Sequence, residues 1–141
     1  MIDIFKYEKG NWYPHMSEVD KILWEKFIEK HPNAYNSVQY DFHVGDPPPF
    51  NTLMDDGEDL NQDKLYRLRI DALGHIRGNV DVIEIKPNAS PSTIGQIKGY
   101  KALYAREGLT KGIIGMVIIT DKIRPNMEFL CKTEGIRLIL V

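Results

Sequence analysis

The chain has 141 residues, 43% of them apolar, which is the length of one domain with enough apolar side chains for a core. With 18 Lys and Arg against 20 Asp and Glu the net charge is -2, so no global basic field marks a general binder of nucleic acid or acidic membrane, and any polyanion must be held locally. The single cysteine, Cys131, excludes an internal disulfide and reads as a small apolar filler; the charged start MIDIFKYEKGNW is unlike a signal peptide, and no run nears the roughly 18 apolar residues of a membrane span, so a soluble cytoplasmic protein with no membrane partner is expected.

From Ser17 to about His31 the sequence predicts a helix: Ser17 caps it, Glu18 and Asp20 favour its first turn, and HPN (residues 31–33) stops it. Val19, Ile22, Leu23 and Phe27 form its expected apolar face. SVQYDFHV (residues 37–44) alternates as a strand does. Residues 45–63 have no periodicity and many turn formers, which predicts a long loop. The five acids between Asp55 and Asp63 fit no EF-hand spacing and read as a solvated face. KLYRLRIDAL from Lys64 is strand-like, GHIRGN (residues 74–79) turns the chain, and VDVIEIKP is the expected antiparallel partner. Ser90 as cap and Pro91 at the first helical position open a second helix running to about Glu107 before Gly108. GIIGMVIIT (residues 112–120) is apolar throughout, as befits a central strand, a short helix follows Pro125, and IRLILV closes the chain as a strand. The expected fold is a single-domain α/β structure of order αβββαβαβ, with a mixed central sheet flanked by helices.

The informative stretch is NVDVIEIKP, residues 79–87. Alternation puts Glu84 and Lys86 on one side of a strand of branched apolar residues, with Asp81, Ile83 and Ile85 on the other. Charges projecting from a buried sheet are costly unless paired, hydrogen-bonded or bound to a metal. Asp71, thirteen residues before Glu84 (84 - 71), lies on the preceding strand, and the hairpin brings the two carboxylates together. Two carboxylates with open water positions suit magnesium, and a lysine beside them suits a phosphate under attack. Asp81 is the rival acid, but its odd spacing from Glu84 places it on the opposite face. The four histidines, His15, His31, His43 and His75, show no metal spacing; His43, on a predicted strand, is the one to watch. No phosphate-binding glycine loop, HExxH or nucleophile elbow is present.

Asp71 followed by Glu84-Ile85-Lys86 in this order of elements resembles the PD-(D/E)XK nuclease superfamily, over most of the chain from Ser17 onward. Gln96-Ile97-Lys98-Gly99-Tyr100 on the second helix is similar to the Q-x-x-x-Y motif of RecB-like and Cas4-like members, with Gln96 and Tyr100 four apart on one face. The first helix, with WEKF before HP, resembles the one that supplies a further acid in transposon-end endonucleases and Holliday junction resolvases. Ile70 stands where many members have proline. The resemblance implies a restriction-endonuclease-like fold and a Mg2+- or Mn2+-dependent nuclease, with Asp71, Glu84, the Ile85 carbonyl and Glu25 at the metal and Glu18 in reserve. It further implies that Lys86 acts on water and phosphate, that Gln96 assists, and that Tyr100, Lys98 and Lys101 grip nucleic acid. The expected substrate is double-stranded or branched DNA, cut as an endonuclease and possible for a homodimer to cut on both strands. The alternatives are a RecB-like exonuclease and a non-catalytic scaffold or binding subunit for DNA processing with the same fold.

Overall fold

A computed structural model describes residues 3–46 and 68–141. Its elements are β1 (Phe5–Lys6), α1 (Glu18–Lys30), β2 (Ser37–Val44), β3 (Leu68–Ile76), β4 (Asn79–Ile85), α2 (Pro91–Glu107), β5 (Ile114–Thr120), α3 (Met127–Thr133) and β6 (Ile136–Leu140). Among the described residues this is a mixed α/β fold of six strands and three helices; the two-residue β1 is an addition to the expected order. The strands lie in sequence order across one sheet, antiparallel from β1 to β4 and parallel from β4 to β6. The expected loop over residues 45–63 and the start of the strand from Lys64 fall almost wholly on residues 47–67, outside the described residues. No helix among the described residues is long and apolar enough to cross a membrane.

Each face of the sheet carries its own apolar cluster. On one, Ile94, Ile97, Tyr100 and Tyr104 of α2 and Met127 and Cys131 of α3 cover Val80 and Val82 of β4 and Ile118 of β5. On the other, Leu23, Trp24, Phe27 and Ile28 of α1 cover Ile83 and Ile85 of β4 and Val117 and Ile119 of β5. The burial of β5 on both faces follows from its apolar run. Ser17 caps α1 by accepting from the Asp20 amide at 3.1 Å, and α2 closes on Gly108 in the left-handed region at φ 69°.

The expected apolar face of α1 is corrected. Val19 and Ile22 are 54% and 52% exposed, and the buried stripe is Leu23, Trp24, Phe27 and Ile28. The indole decides this rotation: Trp24 stacks on Phe27 with centroids 5.5 Å apart and donates to the Tyr40 hydroxyl at 2.9 Å, satisfying its N–H inside the core.

The β3–β4 turn is tighter than expected. Strand β3 runs through Gly74 to Ile76, and the chain reverses at Arg77 and Gly78 alone, with φ 51° and 78°, the pair of positive angles that a two-residue hairpin turn requires. Gly74 is a packing residue instead: a Cβ there would stand 2.5 Å from the Tyr35 ring. Farther along the same ladder, Val38 and Tyr40 pack with the α1 cluster but Phe42 and Val44 with the α2 cluster, and Ala72 and Ile70 change sides likewise. The change falls at Asp41, which adopts φ 51° between the pairs Tyr40↔Ala72 and Phe42↔Ile70 and so lies across from Asp71. This break in the ladder borders the site.

Candidate functional site

The β3–β4 register pairs Ala72 with Ile83, so one residue further Asp71 and Glu84 stand opposite each other on the α2 side of the sheet. There β4 leaves β3, and the Asp71 side chain takes over the ladder, its Oδ2 accepting from the Ile85 amide at 2.8 Å. On the other edge the Lys86 amide donates to the Ile119 carbonyl at 2.9 Å, holding the end of β4 against β5. The segment beyond is tied down too: the Asn88 amide donates to Asp121 Oδ1 at 2.7 Å and the Ala89 amide to Thr120 Oγ1 at 3.0 Å. Lys86 therefore leaves a fixed backbone.

Glu84 is 6% exposed, and its Oε2 is buried with no hydrogen-bond partner among the described residues. Burial raises the pKa of both carboxyls above the usual range. For Glu84 the charge of Asp71 adds to the rise; for Asp71 the Ile85 amide and the hydrogen bond from Glu84 oppose it. Each carboxyl acts on the other, and the nearness of Asp71 makes Glu84 the harder of the two to ionise. The positive charge of Lys86 lowers both pKa values and the negative charge of Asp20 in α1 raises both. Lys86 is exposed and its ammonium has no ion-pair partner among the described residues.

From the second helix, Gln96 donates through Nε2 to the Tyr100 hydroxyl at 2.7 Å, and Tyr100 has its pKa raised by burial first, with the charges of Glu84 and Asp71 adding to the rise. The Q-x-x-x-Y pair thus works as a unit beside the carboxylates, with the amide of Gln96 given to Tyr100.

Three predicted residues are not drawn to the pair. Glu25 accepts from the Tyr13 hydroxyl at 2.8 Å, and the acid of α1 whose charge acts on Asp71 and Glu84 is Asp20. Glu18 is exposed at the helix start. Lys98 is engaged in an ion pair of 2.8 Å with Glu134 at the end of α3. Lys101 is half-buried on α2 and makes no ion pair among the described residues. Asp81 stays on the other face, where it accepts from the Tyr35 hydroxyl at 2.8 Å and pairs with Arg137. Asp20 had a signal in the sequence: it sits three, four and seven residues before Leu23, Trp24 and Phe27, on the stripe that faces the sheet. Placing the apolar face on Val19 and Ile22 hid it.

The residues present fit a hard divalent cation. The buried Glu84 carboxyl, with one oxygen unpartnered among the described residues, and the half-buried Asp71 carboxyl form an oxygen donor set, and the backbone carbonyl of Ile85 follows Glu84 directly. Among the described residues no group of three His, Cys, Asp or Glu is gathered closely enough to enclose a metal, so such an ion would keep water in its remaining positions. No protein-family model matches the chain, and no curated protein and no solved structure matches it.

Proposed function

We propose that this chain is a Mg2+- or Mn2+-dependent endonuclease that hydrolyses DNA phosphodiester bonds, a cytoplasmic enzyme with a restriction-endonuclease-like fold of the PD-(D/E)XK kind. The observation that carries the reading is the pair of half-buried Asp71 and buried Glu84, with Glu84 Oε2 and the exposed Lys86 ammonium, two residues along the chain, both without a partner among the described residues. A structural ion pair would close those charges on one another; here Glu84 Oε2 and the Lys86 ammonium are left open among the described residues. Leaving a buried acceptor unsatisfied costs about 1–3 kcal/mol, which a bound cation offsets.

In this reading Asp71, Glu84 and the Ile85 carbonyl hold the ion, and the negative charge of Asp20 in α1 acts on the pair from farther away. A bound divalent ion supplies neutralisation of the phosphate oxygens and a lowered pKa for water. Lys86 orients the attacking water and carries positive charge to the phosphate as its negative charge grows. The Gln96–Tyr100 bond keeps the tyrosine hydroxyl fixed against the carboxylates, with Lys101 on the same helix as a phosphate contact. Cutting both strands of a duplex would use two copies of the chain.

One observation favours a second reading, a non-catalytic subunit of a DNA-processing assembly: among the described residues the site has two close acids and no third. The deciding experiment is incubation of circular and linear DNA, double- and single-stranded, with Mg2+ or Mn2+ against chelator, for the wild type and Lys86→Ala. Metal-dependent products that disappear in the variant support the nuclease, and cutting of circles supports endonuclease over exonuclease action. No products under any condition, or equal cutting by the variant, favours the non-catalytic reading.

A further inference from the structure

Strands β4 and β5 are parallel, so they end at the same edge of the sheet, and the segments that follow them, residues 86–90 and 121–126, meet there. Hydrogen bonds join the two segments. The Asn88 amide donates to Asp121 Oδ1 at 2.7 Å and the Ala89 amide to the Thr120 hydroxyl at 3.0 Å, which in turn donates to the Lys122 carbonyl at 3.3 Å. In the other direction Arg124 Nε donates to Asn88 Oδ1 at 3.1 Å. Asn88 thus meets the second segment twice, from a left-handed backbone at φ 49° that asparagine tolerates better than most residues.

Both segments reach the face that carries the acid pair. Ala89 is buried within the α2-side cluster, and Ile123 packs against that cluster. Lys86 continues the alternation of β4 through its bond to Ile119, which sets it on the same side as Glu84. The two segments hold three exposed cations, Lys86, Lys122 and Arg124, against one acid, Asp121, which the Asn88 amide engages. None of the three cations makes an ion pair among the described residues. The bond to Asn88 takes one of the five N–H donors of Arg124, and the four on its Nη atoms remain as a planar fork of the kind that fits a phosphate.

We propose that Arg124, steadied by Asn88, and Lys122 hold a DNA backbone phosphate next to the one received by Lys86 and the Asp71–Glu84 pair. Asn88 follows Lys86 by two residues, so the guanidinium it holds lies beside the reacting phosphate, outside the carboxyl ends of two parallel strands, where open α/β sheets bind their ligands. A DNA strand carries its charges in a row, so placing one phosphate at the acids brings a neighbouring one to these cations. A guanidinium tethered in advance gives up less freedom on binding. In a chain of net charge -2 this is the local hold on a polyanion that the composition demands. The contact meets charge and not base edges, so it acts alike on every sequence. The inference rests on the nuclease reading for its substrate, but its test does not require cleavage.

Binding of two fluorescein-labelled DNA duplexes of unrelated sequence is measured by anisotropy in chelator, between about 50 and 200 mM salt. The proteins are wild type, Arg124→Gln, Lys122→Gln and Lys111→Gln, the last an exposed lysine before the opposite end of β5 that matches the change in net charge. Arg124→Gln is expected to weaken binding of both duplexes about tenfold and to lower the slope of log affinity against log salt by about one, the loss of one phosphate contact. Lys122→Gln gives the same direction at about threefold, and Lys111→Gln stays within about twofold of wild type. The Lys122 side chain makes no hydrogen bond among the described residues, so its variant decides the matter if Arg124→Gln unsettles the two segments. With Mg2+ present, Arg124→Gln raises KM more than it lowers kcat. Unchanged affinity and salt slope in folded variants, an equal fall in Lys111→Gln, or a wild type that binds no DNA overturns the inference. A wild type that binds DNA through these residues yet cuts none overturns the nuclease reading and leaves the contact standing.

Discussion

Strand β4 carries two acids three residues apart, and they are treated in opposite ways. Asp81, on the α1 side, accepts from the Tyr35 hydroxyl and pairs with Arg137, so its charge is met within the fold. Glu84, on the α2 side at the strand end, is more deeply buried, faces another carboxylate, and has an oxygen with no partner among the described residues. A charge answered by neighbours holds a structure together, whereas one buried and left open asks for something the chain does not contain. By this criterion Asp81 is structural and Glu84 belongs to a site.

Substitutions can break that contrast. Lys86→Ala removes the open cation and is expected to lower metal-dependent DNA cleavage by about a hundredfold or more, with the melting temperature unchanged because the side chain is exposed. Cleavage rates and thermal melts on one preparation check both halves. Asp81→Ala has the reverse signature: it strands the Tyr35 hydroxyl and is expected to cost about 1–3 kcal/mol in denaturant unfolding, with activity retained by the folded fraction. Glu84→Gln is milder still, because burial and the Asp71 charge oppose ionisation of Glu84 and a neutral amide avoids that cost; the metal-free protein is expected to lose no stability and to gain up to about 1 kcal/mol. The stabilisation of the wild type by added Mg2+ disappears in that variant, a difference read from melts with and without the ion.

The same contrast has a pH signature. Both carboxyls of the Asp71–Glu84 pair hold protons more tightly folded than unfolded. As pH rises from the ordinary carboxylate range toward neutral and mildly alkaline values, the unfolded chain releases protons that the folded chain keeps. The unfolded state then binds fewer protons, so the pair's contribution to metal-free stability falls across that window and levels off once both groups are ionised. Melting temperature against pH in chelator, compared between wild type and Glu84→Gln, is expected to show a steeper decline in the wild type.

The pairing of Asp71 with Glu84 was legible in the sequence because antiparallel registers are additive: any short turn centred near Arg77 and Gly78 sets the two residues opposite. The glycine at 74 misled the placement of the turn, since its reason is the Tyr35 ring, a contact 39 positions away (74 - 35) that no local pattern reveals. The face of α1 was misread for a similar cause. Val19 and Ile22 are as apolar as Leu23, and only the fit of Trp24 against Phe27 and Tyr40 rotates them outward and turns Asp20 inward.

The most direct test of the claim that Asp71 and Glu84 form a metal site is calorimetric titration of Mn2+ into wild type and Glu84→Gln at neutral pH, in two buffers of different ionisation heat. The expected result is binding to the wild type with release of a proton from the carboxyl pair, whose pKa values are raised, and its loss in the variant. No binding to the folded wild type, or equal binding to the variant, contradicts the claim.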